Sequence, residues 1–327
     1  MRILRHYRDI PAEARGAVVA LGNFDGVHLG HQALIAEAKR IAAATNKPLA
    51  VVVFEPYPRE FFRPKDEPFR LTPLPAKARL LAALGADFTI VVPFDAEMAA
   101  MAAQDFVLDV LKGALAVSHV VVGRDFQFGK GRGGDTAVLA YMGEMEGFGV
   151  TVFTPLPADG DSKISSSDIR TALKAGRPEE AARLLGHWWS VEGVVARGDQ
   201  RGRELGFPTA NLKLDERTLN PAFGVYAVRA RIAGEERAYD GAANFGLRPM
   251  FELPAPLLEV HLFDFSGDLY GREMTVEFIA YLRGEEKFAN PDALKAQMAA
   301  DCTGARRILA TRDGRTPPPH STRPSHH

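Results

Sequence analysis

The sequence predicts an α/β domain on a doubly wound parallel sheet, followed by an antiparallel β domain closed by a helix. Three observations carry this. Up to about Phe153, short β-branched runs alternate with longer helical patterns. After about Arg183, strands follow one another closely with turn residues between them, and the last apolar stretch repeats at helical spacing. In the first half the runs are residues 17–21, 49–54, 88–92, 119–122 and 150–153. Each is apolar on both faces, as a strand covered by helices on two sides must be. Between the first two, residues 32–44 place Leu34, Ala38, Ile41 and Ala42 at helical spacing. Repeated strand–helix–strand order argues for the doubly wound parallel class.

In the second half the strands are 190–196, 225–232, 257–264 and 274–281, three of them alternating apolar and polar residues. Their short spacing favours an antiparallel barrel or sandwich. Residues 290–309 read as the closing helix, with Leu294, Met298 and Ala305 among its apolar positions. The expected division is therefore 1–186, 187–310 and a tail, 311–327. That tail holds four prolines and no apolar residue, a composition expected to stay disordered. Its His320, His326 and His327 are read as solvated, not as metal ligands. No internal repeat is present.

Composition excludes several classes. The 327 residues carry Lys+Arg 40 against Asp+Glu 41, a net charge of -1, which gives no electrostatic footprint for nucleic acid. Phosphate recognition is then expected to be local. With 46% hydrophobic residues, 25% charged and a mean hydropathy of -0.11, the chain is composed like a soluble globular protein. No run approaches the ~20 apolar residues that span a bilayer, so no membrane association is expected. Cys302 is the single cysteine, which excludes an internal disulfide framework and a multi-cysteine zinc cage. A cytoplasmic setting is the expectation.

The first strand ends in Gly22-Asn23-Phe24-Asp25-Gly26-Val27-His28-Leu29-Gly30-His31, just before the first helix. Glycines let backbone approach a ligand, and a helix start offers free N–H groups and a positive dipole end to an anion. His28 and His31 are three apart and can face that same anion, donating hydrogen bonds as charge builds on phosphate oxygens. The plainer alternative is two surface histidines flanking a cap. A second element, Ile164-Ser165-Ser166-Ser167-Asp168-Ile169-Arg170, leads into another helix. Its three hydroxyls can cap that helix while binding phosphate, and Arg170 adds a guanidinium that matches phosphate bidentately. A serine N-cap with a surface arginine would read the same way.

In the second half, Gly193-Val194-Val195-Ala196-Arg197-Gly198-Asp199 precedes Arg201-Gly202-Arg203-Glu204-Leu205-Gly206-Phe207-Pro208-Thr209-Ala210-Asn211. A glycine-rich turn and a rigid Pro208 can hold Thr209 and Asn211 side by side, two oxygen donors suited to Mg²⁺ beside ATP phosphates. A loop with an Asx-type turn is the alternative. In Leu257-Leu258-Glu259-Val260-His261-Leu262, alternation puts Glu259 and His261 opposite Leu258, Val260 and Leu262. A carboxylate on an inner barrel face would be a candidate general base; a solvent-facing glutamate is the alternative.

These segments carry a resemblance. The Gly22 to His31 run with the 164–170 segment resembles the His-x-Gly-His and Ile-Ser-Ser-x-x-x-Arg pair of the nucleotidyltransferase superfamily. Gly123-Arg124-Asp125-Phe126-Gln127-Phe128-Gly129, with Phe54-Glu55-Pro56 and Leu71-Thr72, is similar to the FMN adenylyltransferase module of bacterial bifunctional riboflavin kinase/FAD synthetases. Phe207-Pro208-Thr209-Ala210-Asn211, Ala243-Asn244-Phe245-Gly246-Leu247-Arg248-Pro249, and Glu259-Val260-His261 with Asp268-Leu269-Tyr270-Gly271 resemble the riboflavin kinase module, in the family's order.

The resemblance implies a Rossmann-like nucleotidyltransferase domain and a six-stranded Greek-key barrel. It implies ATP over Gly22, Asn23, Phe24, Asp25 and Gly30, with phosphate contacts from Ser165, Ser166 and Ser167 and catalytic roles for His28, His31 and Arg170. In the barrel it implies Mg-ATP held through Thr209 and Asn211, with Gly206 and Pro208 among the ATP- and phosphate-binding residues, and Glu259 deprotonating the riboflavin 5′-hydroxyl. Phe62, Asp125 and Phe128 are the flavin-binding candidates. Substrates and products would be riboflavin, FMN, FAD and ATP. Two positions depart from the family: Pro56-Tyr57-Pro58 stands where Pro-His-Pro is common, and Met250 follows Arg248-Pro249 where threonine is common. Neither Tyr57 nor Met250 is assigned a role. The rival readings are a riboflavin kinase with an idle N-terminal module and a flavin sensor that consumes no ATP. A nucleotidyltransferase acting on pantetheine or nicotinate nucleotides would explain the first half only.

Overall fold

The computed structural model describes residues 1–154, 164–197, 206–247 and 256–311. Of the expected tail, 311–327, only Thr311 is among them; Met250 and residues 198–205 also lie outside. The chain forms two compact units, Met1–Asp66 with Leu74–Lys163, and Glu67–Pro73 with Ile164–His327.

The first unit is a six-stranded, all-parallel sheet. Its strands are β1 (Arg2–Leu4), β2 (Val18–Leu21), β3 (Leu49–Glu55), β4 (Phe88–Pro93), β5 (His119–Gly123) and β6 (Gly149–Phe153). They lie in the order β1-β4-β3-β2-β5-β6. Successive residues of the central strands enter different cores. Val19, Leu21, Val52, Ile90 and Val120 pack with Phe106, Val110 and Leu111 on one face. Val18, Ala20, Val51, Val53 and Val121 pack on the other with Leu34, Ile35, Ala38 and Ile41 of α1 (Leu29–Thr45). Burial on both faces is what the runs of β-branched residues encode.

Strand order reverses at β2, which has β3 on one side and β5 on the other. That switch point opens a crevice outside the carboxyl ends of the strands, where ligands of such sheets bind. The segments after β2, β3 and β5 all start there. They are the ones that begin at Gly22, Pro56 and Arg124. β1 was not legible in the sequence; its three residues are a strand because they pair with β4.

The second unit is a closed antiparallel barrel of β7 (Ser190–Ala196), β8 (Ala210–Lys213), β9 (Gly224–Ile232), β10 (Ala238–Leu247), β11 (Pro256–Leu262) and β12 (Glu273–Arg283). The closed order is β10-β11-β8-β7-β12-β9. Strands β9, β10 and β11 meander while β8 lies beside β11, the return that defines a Greek key. The interior is filled by side chains, among them Leu212, Val228, Phe245, Leu258, Val260, Val276 and Phe278.

Two helices, Ser166–Lys174 and Pro178–Leu185, bury Ile169, Leu173, Ala181 and Leu185 against that same core. The compact units therefore part at 163/164, whereas the sequence pattern changes at 186/187. The closing helix runs Pro291–Thr311, with Ala305 and Leu309 packed on Ala227, Ala242 and Ile279. Trp189 is buried beside Phe278 and donates its indole N–H to the Leu71 carbonyl at 2.9 Å. Trp189→Ala is expected to cost about 3–5 kcal/mol, from the cavity and the orphaned carbonyl together. Denaturant unfolding followed by circular dichroism reads it.

Candidate functional site

The first site starts where β2 runs into α1. His28 is the N-cap residue of the helix, 6% exposed, and its Nδ1 accepts the backbone N–H of His31 at 3.3 Å. A neutral imidazole that accepts at Nδ1 carries its proton at Nε2, so the ring offers a donor. The His28 and His31 rings stack with centroids 3.6 Å apart and planes 18° apart, and the Phe24 ring meets His31 edge-on at 5.2 Å. The three-residue spacing thus does bring both imidazoles to the helix start. Gly26 at φ +85 makes the turn possible without a Cβ clash. Asn23 is exposed and Gly22 and Gly30 are half-buried, while Phe24 and Asp25 are buried. The Asp25 carboxylate accepts from the Tyr57 hydroxyl at 3.1 Å.

The two aromatic candidates separate. Phe62, at the end of α2 (Pro58–Phe62), is 62% exposed and edge-on to Phe61 and Phe94. Phe128 is 7% exposed, with Phe106 5.7 Å away and Phe126 stacked on it at 5.5 Å. It is a buried packing residue of the hydrophobic core, among aromatic neighbours. Asp125 is exposed, 3.6 Å from the Arg124 guanidinium.

Ser165 to Arg170 belong to the second compact unit. Ser165 is the N-cap of the Ser166–Lys174 helix: its oxygen accepts the Asp168 N–H, and its hydroxyl donates to the Asp168 carboxylate at 2.7 Å. Ser166 is half-buried and Ser167 exposed. Arg170 donates through Nε to the Phe69 carbonyl at 2.8 Å, with its guanidinium over the Phe69 ring. The arginine expected at phosphate therefore also anchors the 67–73 segment.

In the barrel, register does the positioning. Asn211 of β8 lies opposite Glu259 of β11, which lies opposite Asn244 of β10. Their neighbours Ala210, Leu212, Leu258, Val260, Ala243 and Phe245 all point into the core. The polar row is consequently on the outer face, and the expectation of an inner-face carboxylate is corrected. A small barrel fills its interior with side chains, leaving no room for a ligand. Asn211 borders a cleft of about 320 Å³ that Arg197, Thr218, Asn220, Pro256 and Leu257 also line.

Thr209 is half-buried, beside exposed Pro208 and Gly206. The Pro208 carbonyl is 2.9 Å from His261 Nδ1. A carbonyl only accepts, so that nitrogen carries the proton, and Phe207 packs edge-on to the same ring at 5.6 Å. His261 thereby ties the threonine loop to β11. Among the described residues no group of three His, Cys, Asp or Glu is placed to hold a metal. The hydroxyl and amide oxygens of Thr209 and Asn211 are hard donors, of the kind that suits Mg²⁺.

Sequence reasoning missed three participants: Tyr57, Lys77 and the linking role of His261. Only Tyr57 left a signal, as a departure from a motif.

Comparison with known proteins follows this geometry. The chain is 42% identical over 310 residues to a bifunctional riboflavin kinase/FMN adenylyltransferase of Escherichia coli, covering 94% of this chain and 98% of that one. It is 40% identical to the protein of the same name from Pseudomonas fluorescens, over 95% and 98% of the two chains. The chain belongs to this family. The FAD synthetase family model matches residues 10–168 and the riboflavin kinase family model residues 185–309. A Bacillus subtilis family member is 39% identical over 89% of this chain and 92% of its own.

A crystal structure described as a macrolide-efflux protein from Streptococcus pneumoniae superposes with a TM-score of 0.82 at 32% identity, covering 93% of this chain and 98% of that one. That description concerns that protein; among the described residues here no helix is long and apolar enough to cross a membrane. Because His28 caps α1, His28→Ala is expected to lower stability by about 0.5–2 kcal/mol, while His28→Asn keeps a capping acceptor and most of that stability. Equilibrium unfolding of the two variants checks this.

Proposed function

We propose that the chain makes FAD from riboflavin in two steps, each at the site its own residues build. In the barrel, Glu259 takes the proton of the riboflavin 5′-hydroxyl, the ribityl oxygen attacks the γ-phosphorus of ATP, and ADP leaves with FMN formed. Thr209 and Asn211 would hold Mg²⁺ with the ATP phosphates. Bound there, the ion neutralises phosphate charge and orients the γ-phosphoryl group. His261 fixes the loop that carries Thr209.

In the α/β unit, a phosphate oxygen of FMN attacks the α-phosphorus of a second ATP, and pyrophosphate leaves with FAD formed. No covalent enzyme intermediate is needed, so the protein acts by positioning and by stabilising charge. The Nε2–H of His28 and the adjacent His31 ring face that charge from the positive end of α1, with the backbone of Gly22, Asn23 and Gly30 beside them. Ser165, Ser166, Ser167 and Arg170, which lie in the second compact unit, are read as phosphate-contacting residues in their own right. Phe62, exposed among aromatic neighbours, offers its face to the isoalloxazine ring, and Asp125 lies on the segment that follows β5. Phe128 is assigned no flavin contact. The reading includes a cytoplasmic setting, supported by the lone Cys302.

The observation that carries the proposal is the stacked His28–His31 pair at the N-terminus of α1, since a capped helix start with two imidazoles is built for a phosphate. His31→Ala is expected to lower FAD formation by about 100-fold or more while leaving riboflavin phosphorylation intact. Glu259→Gln should do the converse, with FMN formation falling by about 10²–10⁴ and FAD still made from supplied FMN. Loss of both reactions from either folded variant would contradict the two-site assignment. His261→Ala is expected to raise KM for ATP in FMN formation several-fold and to leave FAD formation from FMN untouched, read by steady-state kinetics of each half-reaction.

A further inference from the structure

A buried lysine stands behind the His28 loop. Lys77, on α3 (Leu74–Ala83), is 0% exposed. Its ammonium donates to the Asn23 carbonyl at 2.8 Å and to the Tyr57 hydroxyl at 2.6 Å, and stands 4.0 Å from the Glu55 carboxylate. The Tyr57 hydroxyl, which accepts from Lys77, donates in turn to Asp25. Tyr57 is 2% exposed and Asp25 4%. An ammonium is costly to bury unless it is paired and hydrogen-bonded, so a fold that keeps one here must gain something local from it.

The loop shows what is gained. Phe24 at φ +49 and Val27 at φ +43 occupy the left-handed region, which is unfavourable for any residue with a Cβ and an outlier for a β-branched one. Such conformations persist only where the surroundings over-determine them, and they cluster at functional sites. Here the Lys77 ammonium holds Asn23 on one side of Phe24, and the Tyr57 hydroxyl holds Asp25 on the other. Gln32 closes the far end by donating from Nε2 to the Val27 carbonyl at 2.9 Å.

We propose that Tyr57 and Lys77 are positioning residues for adenylyl transfer, holding the 23–25 turn in the conformation that sets His28 at the head of α1. Position 57, a departure from the family motif, acts through its hydroxyl on Asp25 and not on the substrate. Asp25 correspondingly works on the loop, its carboxylate turned to Tyr57. The inference rests on the reading of the His28/His31 site as the adenylyl-transfer site.

Steady-state kinetics on the full-length chain test it, with FAD formation from FMN and ATP as the readout and riboflavin phosphorylation as the internal measure of folded enzyme. The unaltered chain is assayed first. If it makes no FAD, the site assignment fails, independently of the positioning role. Given FAD formation, Tyr57→Phe keeps the ring and removes only the hydroxyl. It is expected to lower kcat for FAD formation by about tenfold or more, with KM for ATP changed less. In an Asp25→Ala background, which lacks the acceptor of the Tyr57 hydroxyl, the same change is expected to cost under about twofold, because the two groups act through one hydrogen bond. Lys77→Met is expected to lower kcat at least as far; if it unfolds the α/β unit, Tyr57→Phe alone decides. A kcat within about twofold of the parent, a change confined to KM, or a loss that multiplies with Asp25→Ala would overturn the proposal.

Discussion

The constraint on which the first site depends is the turn between Leu21 and His28. Leu21 ends a strand packed on both faces, and His28 begins a helix whose Leu34, Ile35 and Ala38 pack back on the same sheet. Neither end can move. The intervening residues must bury Phe24, Asp25 and Val27 while leaving Asn23 at the surface and the helix start open. That is why non-glycine residues accept left-handed backbone here, and why a buried cation and a buried phenol lie beneath them. The chemistry of two imidazoles at a helix start is a consequence of solving that turn.

The proposed site on the barrel is built by a different route. No helix dipole is involved; strand register alone aligns Asn211, Glu259 and Asn244 across three strands on the outer face. Because the inner face is filled with aliphatic and aromatic side chains, the only place for polar chemistry is outside, where the cleft beside Asn211 opens. His261, on the same face of β11 as Glu259, then clamps the loop bearing Thr209 through the Pro208 carbonyl. In one unit a strained loop is held by a buried network. In the other, a relaxed ladder fixes the geometry and a single imidazole restrains the loop.

Much of this was legible in the amino-acid sequence, for physical reasons that also explain the gaps. Parallel strands buried on both faces leave continuous β-branched runs, so β2 to β6 stood out, and His28 and His31 were found because helix-start chemistry depends on local spacing. Strands β8 and β10 did not stand out. Ala210–Lys213 is short and polar, and Ala238–Leu247 is rich in Gly and Ala, so both owe their form to pairing with neighbours. The inner-face reading of Glu259 failed because alternation separates two faces without saying which one is packed. Phe62 and Phe128 looked alike as aromatic candidates; only burial distinguishes them. Lys77 was invisible, since a lysine within Leu74–Ala83 looks like an ordinary solvated helix residue until the fold turns it inward. Tyr57 was noticed only as an oddity, and its meaning needed the contacts with Lys77 and Asp25.

The central claim is that both phosphate sites work on one chain, in sequence. The most direct measurement is a chromatographic time course of flavins after the purified chain is mixed with riboflavin, ATP and Mg²⁺. The account predicts FMN appearing first and FAD accumulating after it, with two ATP consumed per FAD. FMN accumulating without FAD would contradict the His28/His31 site, and flavin bound without any ATP consumed would contradict the account as a whole.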